Sequence, residues 1–298
     1  MYCSAVVLTI PAEHLKYARE ETIMPQLHRP AAVAGMFYPA EARSLRDQVS
    51  EYLRAVAPAK ASTMPKLVVV PHAGYIYSGP VAAHAYALLE PWREQIARVV
   101  LLGPTHRVAV RGLAAPTAAA FETPLGAVPI DRAAIDALED LVQVVRSDAA
   151  HAREHSLEVQ LPFLQSLLGA FTLVPLAVGH ASAAQVAEVI ERLWGGDETL
   201  VVISSDLSHY LPYADAGRID AQTVSRILQF DASIAHDEAC GATPLNGALL
   251  VARRRGLVPR LLDLRNSGDT AGDRSRVVGY GALAFEVPSG VALSTVSS

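Results

Sequence analysis

The sequence is poor in cysteine, since only Cys3 and Cys240 occur among its 298 residues. Two cysteines cannot form the disulfide framework that stabilises small secreted proteins. The N-terminus also lacks the basic segment and the unbroken apolar stretch of a signal peptide, because Thr9 and Pro11 interrupt its apolar residues. No apolar run reaches the roughly 18 residues that a membrane span requires. These absences predict a cytoplasmic protein with no membrane association.

Charged residues are scarce as well, at 18% of the chain, and the net charge is −5. Lysines and arginines are scattered, except in the run Arg253–Arg255. This run follows an apolar stretch and precedes Gly256, which is typical of cations at the C-terminus of a helix. Without a basic surface, nucleic acid is not expected as a partner. The sequence also has no glycine-rich phosphate loop, dinucleotide fingerprint or serine nucleophile elbow.

Hydrophobic residues, in contrast, make up 51% of the chain, which is enough for a large core. Apolar residues recur at helical spacing from Ser44 to Val56, before Pro58. Short apolar runs typical of buried strands follow: Leu67–Val70, Val99–Leu102, Phe171–Val178 and Leu200–Ile203. Helix-like patterns separate them: Val81–Leu89, Arg132–Leu141, Leu157–Leu168 and Ser182–Leu193. Two last strands, Val258–Leu264 and Arg276–Phe285, flank a loop rich in Gly and Asp.

This alternation of strands and helices predicts the α/β class, as a single domain with a central sheet, largely parallel or mixed, flanked by helices. We expect the domain to span residues 29–288. Residues 1–28 show no clear period and are predicted to be an N-terminal extension, either disordered or the product of a start assigned upstream of Met24. Residues 289–298 are predicted to be a tail.

Ionisable residues follow each of the four apolar runs between residues 67 and 203. These residues are His72, His106, His180, Asp206 and His209. In open α/β sheets, ligands bind beyond the carboxyl ends of the strands, so these side chains are expected to converge. Their coincidence predicts a metal site or an acid/base site. We leave out His180, because it can simply form the turn into the next helix.

Cys240 precedes Thr243 and Pro244, which are predicted to be the N-cap and the first residue of a helix. A sulfur near a helix N-terminus has a lowered pKa, which favours the thiolate needed for nucleophilic attack or metal ligation. A small buried residue selected for packing is an equally good interpretation of an isolated cysteine.

His155 and Glu158 are three residues apart at the start of a predicted helix, so both side chains point from one face of its first turn. They could orient a substrate or a water molecule. They could equally form an ordinary surface pair near a helix N-terminus, and the two residues taken alone favour that pair.

Six segments, in this order, resemble the Memo family: PHAGYIYSG, GPTH, REHSLEVQLP, SSDLSHY, ACGATPL and NSGDTAGDRSRVVGYGA. Bacterial and archaeal members of this family are called AmmeMemoRadiSam system protein B, and the human member is a mediator of receptor-driven cell motility. The resemblance extends from about Arg29 to Glu286. It implies a Memo-like domain similar in fold to class III extradiol dioxygenases, with a metal pocket at one edge of the sheet.

The resemblance also implies roles for individual residues. The matching metal ligands are His72, His106 and Cys240, and His209 matches the acid/base histidine of the dioxygenases, with Asp206 beside it. His155 and Glu158 match the family's motif at the wall of the pocket. The bound ion is expected to be one transition metal, iron(II) or copper, with zinc as a further option. A thiolate in place of the dioxygenase carboxylate makes the ligand set softer, so fold similarity does not transfer the dioxygenase reaction.

Three functions are compatible with this site. The first is a metal-dependent, dioxygenase-like redox enzyme in which His209, positioned by Asp206, transfers protons. The second is a non-catalytic metal-binding or adaptor protein, which sequesters iron or copper or binds a peptide or partner protein in the pocket. The third is a zinc hydrolase with Glu158 or His209 as general base. The family name implies association with a radical SAM protein and an AMMECR-type protein, and the pocket implies a small molecule or peptide.

Overall fold

The structure is a computed structural model, and it describes residues 27–57 and 63–288. These residues form two β-sheets and nine α-helices. The strands are β1 (His28–Arg29), β2 (Pro65–Val70), β3 (Arg98–Pro104), β4 (Leu113–Ala115), β5 (Ala120–Thr123), β6 (Gly126–Pro129), β7 (Val144–Arg146), β8 (Thr172–Val178), β9 (Thr199–Ser204), β10 (His209–Leu211), β11 (Val258–Asn266) and β12 (Val277–Glu286). The helices are α1 (Ala42–Ala55), α2 (Tyr75–Ala87), α3 (Arg132–Asp136), α4 (Asp148–Ala152), α5 (Leu161–Leu167), α6 (Ala183–Arg192), α7 (Tyr213–Leu228), α8 (Ala242–Arg254) and α9 (Ser267–Thr270). Two 3-10 turns cover Glu90–Trp92 and Glu158–Gln160.

The large sheet has nine strands among the described residues, in the order β10-β12-β2-β9-β3-β8-β4-β7, and β11 pairs with β12. Its centre is parallel, because β2, β9, β3 and β8 run in the same direction. The pairs β12–β2, β11–β12 and β4–β8 are antiparallel. The sheet is therefore mixed, and the predicted single α/β domain with a largely parallel or mixed sheet flanked by helices is confirmed.

The central strands form the core of the molecule. Every residue of β2 and β9 is buried, which requires cover on both faces of the sheet. Helices α1, α2 and α5 pack together, and α6 packs against α8. The four apolar runs recognised in the sequence form strands β2, β3, β8 and β9, with only Phe171 outside its strand, so their prediction is confirmed.

Several predicted helices are confirmed. Helix α1 buries Leu45 and Val49, and the side chain of Glu41 caps its N-terminus. Helix α6 begins with a capping box, in which Ser182 and Gln185 satisfy each other's backbone N–H groups. Helix α8 ends at Arg254, before Gly256 with a φ of 64°, as the arginine run predicted.

Helix α2 begins at Tyr75, six residues before the predicted start at Val81. It runs through Gly79 and Pro80, residues that usually weaken a helix interior. The packing of α1 explains the glycine at position 79, because a Cβ atom there would lie 2.5 Å from the ring of Tyr52 on α1. The missing side chain lets α1 and α2 approach each other.

Other predicted helices are shorter than expected. The stretch 132–141 is helical only as α3, Arg132–Asp136, and the stretch 157–168 divides into a 3-10 turn and α5. The loop between the last two strands contains α9. A small sheet, β1-β5-β6, and the long helix α7 were not predicted.

The predicted extension, residues 1–28, lies outside the described residues except for Leu27 and His28, and His28 belongs to β1. The predicted tail, 289–298, lies outside them entirely. Within the described part of the chain, none of the helices combines the length and the apolar character needed to span a membrane.

Candidate metal centre

Three neighbouring parallel strands bring the site residues together. His72 follows β2, Asp206 follows β9 and His106 follows β3, and these strands are adjacent in the sheet. Their carboxyl ends therefore meet at one edge, where open α/β sheets bind ligands. The rings of His72 and His106 have centroids 5.3 Å apart. The predicted convergence of strand ends is thus present for these residues.

His155 joins the two histidines from the loop that follows α4. One ligand atom from each of His72, His106 and His155 lies within 4.8 Å of the others, so the group could hold a metal ion. The rings of His106 and His155 stack, with centroids 4.6 Å apart. Burial differs along the group, because the side chain of His72 is 2% exposed and that of His106 is 29% exposed. One side of the group is closed and the other is open.

The hydrogen bonds of His72 fix its orientation. Its Nδ1 lies 2.9 Å from Oγ of Ser204, and its amide N–H donates to Oδ1 of Asp206 over 2.7 Å. Nε2 is thereby directed towards Cys240, with 3.2 Å between Nε2 and Sγ. Burial lowers the pKa of His72 well below its usual value. The imidazole is therefore neutral at physiological pH, and the neutral form is the one that binds metals.

The side chain of His106 is held by Glu154, a residue that no sequence pattern indicated. Nδ1 of His106 lies 2.9 Å from Oε1 of Glu154, and its amide N–H donates to Oε2 over 2.5 Å. Burial alone would raise the pKa of Glu154, but the hydrogen bonds and charge of His106 and the amide of Ser156 hold it at about 2. A carboxylate on one imidazole nitrogen leaves the other nitrogen free, an arrangement common among metal ligands.

The ring of His155 lies between His106 and Phe37, whose ring centroid is 4.7 Å away. Burial lowers the pKa of His155 to about 4, so it is also neutral. Its Nδ1 is buried and has no hydrogen-bond partner in the described part of the chain, although Oε1 of Glu154 is 3.4 Å away. A buried nitrogen without a partner is costly, and a metal ion is one way to satisfy it.

Cys240 lies just before α8, but the helix starts differently from the prediction. Gly241 is the N-cap and Ala242 the first helical residue, so the expected cap at Thr243 is wrong. The expected lowering of the thiol pKa is also wrong. Burial, followed by the nearby carboxylate of Asp206, raises the pKa of Cys240 to about 12. Desolvation outweighs the helix N-terminus here, and a cation beside the sulfur would act in the opposite direction and favour the thiolate.

Asp206 hydrogen-bonds with the amide of His72, and no hydrogen bond joins it to His209 among the described residues. Its Oδ2 lies 4.0 Å from Nε2 of His72. Burial raises the pKa of Asp206 to about 7. His209 is oriented instead by the backbone, because its Nδ1 lies 2.8 Å from the carbonyl oxygen of Leu207. Asp206 is therefore placed to act on His72 rather than on His209.

A cleft of about 810 Å³ opens next to these residues. His106, His209 and Cys240 line it together with residues of β10, α7 and the segment 235–238. A molecule in the cleft would reach the open side of the histidine group and the imidazole of His209 at the same time.

Glu158 lies elsewhere, in a closed cluster under the N-terminal segment. It is completely buried, so the interpretation as a surface pair with His155 is wrong. It pairs with Arg29 and accepts hydrogen bonds from the Tyr38 hydroxyl (2.5 Å) and from the amides of Ala32 and Val33. Glu158 is not among the residues that line the cleft.

Comparison with known proteins identifies the family of the chain. Residues 29–284 match the Memo family, described as Memo-like protein. The chain belongs to the Memo family. It is 37% identical over 283 residues to MEMO1 family protein MK0963 of Methanopyrus kandleri, across 87% of this chain and 99% of that protein. It is also 37% identical over 287 residues to a MEMO1 family protein of Ignicoccus hospitalis, across 88% of this chain and 100% of that protein.

The resemblance drawn from the six sequence motifs is thus confirmed. Among solved structures, the uncharacterized protein JW3007 from Escherichia coli K12 is similar with a TM-score of 0.48 and 13% identity, over 74% of this chain and 99% of that one.

The donor atoms of this Memo-family site fit a transition-metal ion. A tetrahedral ion with bonds of about 2.1 Å to nitrogen and about 2.3 Å to sulfur holds those two atoms about 3.6 Å apart. The separation of 3.2 Å between Nε2 of His72 and Sγ of Cys240 is close to this value. Neutral imidazoles, a sulfur and an unpartnered buried nitrogen suit iron, copper or zinc rather than magnesium or calcium, which prefer oxygen ligands.

Proposed function

We propose that this Memo-family protein binds one transition-metal ion, iron(II) or copper, and acts as a metal-dependent oxidoreductase on a molecule held in the 810 Å³ cleft. The ligands proposed are His72, His106 and Cys240, as the sequence motifs imply, with His155 as the alternative third ligand. The observation that carries the proposal is that His106 and Cys240 line the same cleft as His209. The proposed metal position is therefore next to a proton-transfer group.

The role of His209 follows from its hydrogen bond. If Nδ1 donates its proton to the carbonyl oxygen of Leu207, 2.8 Å away, then Nε2 carries the free lone pair. Burial lowers the pKa of His209, so the ring is neutral and can accept a proton from a substrate hydroxyl group. Iron or copper held by these residues would supply one-electron redox chemistry.

A second function is favoured by a specific observation. No hydrogen bond from Asp206 orients His209 among the described residues, unlike the carboxylate–histidine pairs of many acid/base catalysts. The alternative is a non-catalytic protein that sequesters iron or copper, or uses the cleft for a peptide or partner protein. In either case we propose that it acts in the cytoplasm in a pathway with a radical SAM protein and an AMMECR-type protein, as the family name suggests.

The test is elemental analysis of protein purified without oxygen, combined with oxygen consumption in the presence of catechol-like substrates. We expect near-stoichiometric metal in the native protein, and its loss in His72→Ala and Cys240→Ala. His209→Gln should keep the metal and lose turnover. Metal binding without turnover in the native protein would favour the sequestering function. The absence of metal from the native protein would contradict both metal-dependent functions and leave the cleft as a binding site for a peptide or partner protein.

A further inference from the structure

We propose that Arg29 is a positioning residue of the metal centre, which holds the loop 151–158 in the conformation that presents Glu154 and His155. The inference rests on the proposed metal function of the site. Arg29 lies 122 to 129 positions away in sequence from the groups that it binds and touches none of the candidate ligand atoms itself. Its effect would pass entirely through the loop.

Arg29 is 5% exposed, and its guanidinium binds the loop at three points. Nε donates to the carbonyl oxygen of His151 over 2.9 Å, Nη2 donates to the carbonyl oxygen of Glu154 over 2.7 Å, and Nη1 pairs with the carboxylate of Glu158. Its face lies over the ring of Phe121, with 5.0 Å from Cζ to the ring centroid. Three acceptors spread over eight residues are thus fixed around one planar cation.

The second of these three acceptors is the carbonyl oxygen of Glu154, the residue whose side chain orients His106. The carboxylate of Glu154 accepts from the amide and the ring of His106 and from the amide of His155. A displacement of the Glu154 backbone would move these hydrogen bonds with it. Arg29 therefore acts on the angle at which His106 and His155 face each other.

The segment that carries Arg29 is itself attached to the site. Glu158 accepts hydrogen bonds from the Ala32 and Val33 amides and the Tyr38 hydroxyl, and the ring of Phe37 packs against His155. The carbonyl oxygen of Phe37 accepts from the amide of Tyr75, three residues after His72. Residues 29–38 thus contact both the loop 151–158 and the start of α2.

The geometry requires arginine rather than any cation. A guanidinium presents donors in a rigid planar fork, whereas the ammonium group of lysine is a compact point charge on a flexible stem. Arg29→Lys can keep the charge pair with Glu158 but cannot reach the three acceptors with the same geometry. This substitution therefore separates neutralisation of Glu158 from positioning of the loop.

The experiment compares Arg29→Lys with native protein by titration of metal-free protein with Co(II), with visible absorption as the spectroscopic signature. We expect affinity about 10- to 100-fold weaker, as for partners that orient metal ligands, with altered Co(II) absorption. Hydrogen exchange of the metal-free variant should rise in the peptide covering 151–158.

Arg98→Lys is the matched control. Arg98 binds Thr199 and Glu198 at the start of β3, the end of the strand opposite His106. The substitution Arg98→Lys should lower the thermal stability of the protein without changing its Co(II) affinity or absorption. If Arg29→Lys does not fold, Glu158→Gln, which loosens the same guanidinium, is titrated instead with the same expected direction.

Native Co(II) affinity and absorption in the folded variant would overturn the role of Arg29 alone. Failure of the native protein to bind Co(II) would overturn the metal function itself, and this inference with it.

Discussion

The Sγ atom of Cys240 lies 3.2 Å from Nε2 of His72, although 168 positions separate the two residues in the sequence. The contact joins the end of β2 to the start of α8. His155 approaches His72 and His106 from another loop, so Cys240 and His155 are two candidates for the third ligand. Variants of these two residues can distinguish between them.

The first prediction concerns this choice. Cys240→Ala is expected to weaken metal binding more than His155→Ala, since a thiolate contributes a negative charge and a strong bond to iron, copper or zinc. The measurement is the dissociation constant of each metal, by competition with a chelator of known affinity. The reverse order would assign His155 as the third ligand and leave Cys240 as a neighbouring thiol.

A second prediction concerns Glu154. Glu154→Gln keeps the size of the side chain but removes the charge that holds Nδ1 of His106, so metal affinity should fall about 10- to 100-fold. Glu139→Gln, at an exposed glutamate, is the control and should have no effect. Equal affinities in the two variants would mean that Glu154 serves only to hold the loop.

A third prediction uses the buried His151. Its pKa is lowered from 6.5 to about 4 by burial, so the unfolded chain binds a proton between these pH values that the folded protein does not. The free energy of unfolding is therefore at its full value above pH 6.5. It falls as the pH drops towards 4, and this group accounts for about 3 kcal/mol of the loss.

His151→Gln can keep the hydrogen bond to the carbonyl oxygen of Ala114 and lacks the titration. Urea denaturation at pH 7 and at pH 4.5 should show a smaller loss of stability in this variant than in the native protein. His180→Gln, at an exposed histidine, should follow the native protein. A loss in His151→Gln as large as in the native protein would contradict the prediction.

A fourth prediction tests the packing of α1 against α2. Gly79→Ala should destabilise the fold by about 1–3 kcal/mol, because the added methyl group overlaps the ring of Tyr52. Gly217→Ala in α7, where no atom outside the neighbouring residues and backbone of its own helix lies within 4 Å of the added carbon, should stabilise it by about 0.5–1 kcal/mol. In the background Tyr52→Ala, Gly79→Ala should lose its penalty, and a penalty that persists there would exclude Tyr52 as its cause. The measurement is thermal denaturation of the four variants and of the native protein.

The sequence predicted the centre of the fold well, because buried parallel strands consist of continuous apolar runs that can be recognised locally. Recognising the runs in β2, β3, β8 and β9 required no knowledge of distant contacts. The polar residues that follow β2, β3 and β9, His72, His106 and Asp206, indicated the site, whereas His180 after β8 did not join it. Short strands such as β4 and β10 carry only three residues each, too few to show a period. They form because a neighbouring strand provides the hydrogen-bond partners.

The sequence pattern indicated that His72 and His106 lie close together, but it did not indicate the contacts that hold them. Glu154 directly precedes His155 in the segment REHSLEVQLP, but nothing local indicates that its carboxylate binds His106, 48 positions earlier. Arg29 and Glu158 are likewise 129 positions apart. The pKa of Cys240 was missed for the same reason, since burial depends on the whole fold and the helix N-terminus was the only local cue.

The unequal exposure of the two strand-end histidines has a kinetic consequence. His72 is sealed inside the molecule, whereas His106 borders the cleft. In the part of the chain that the structure describes, the cleft that admits the bound molecule also reaches His106, so an ion held between the two histidines would enter and leave through it. Occupancy of the cleft would therefore slow metal exchange, and a chelator would remove the ion more slowly from the loaded protein than from the protein with an open cleft.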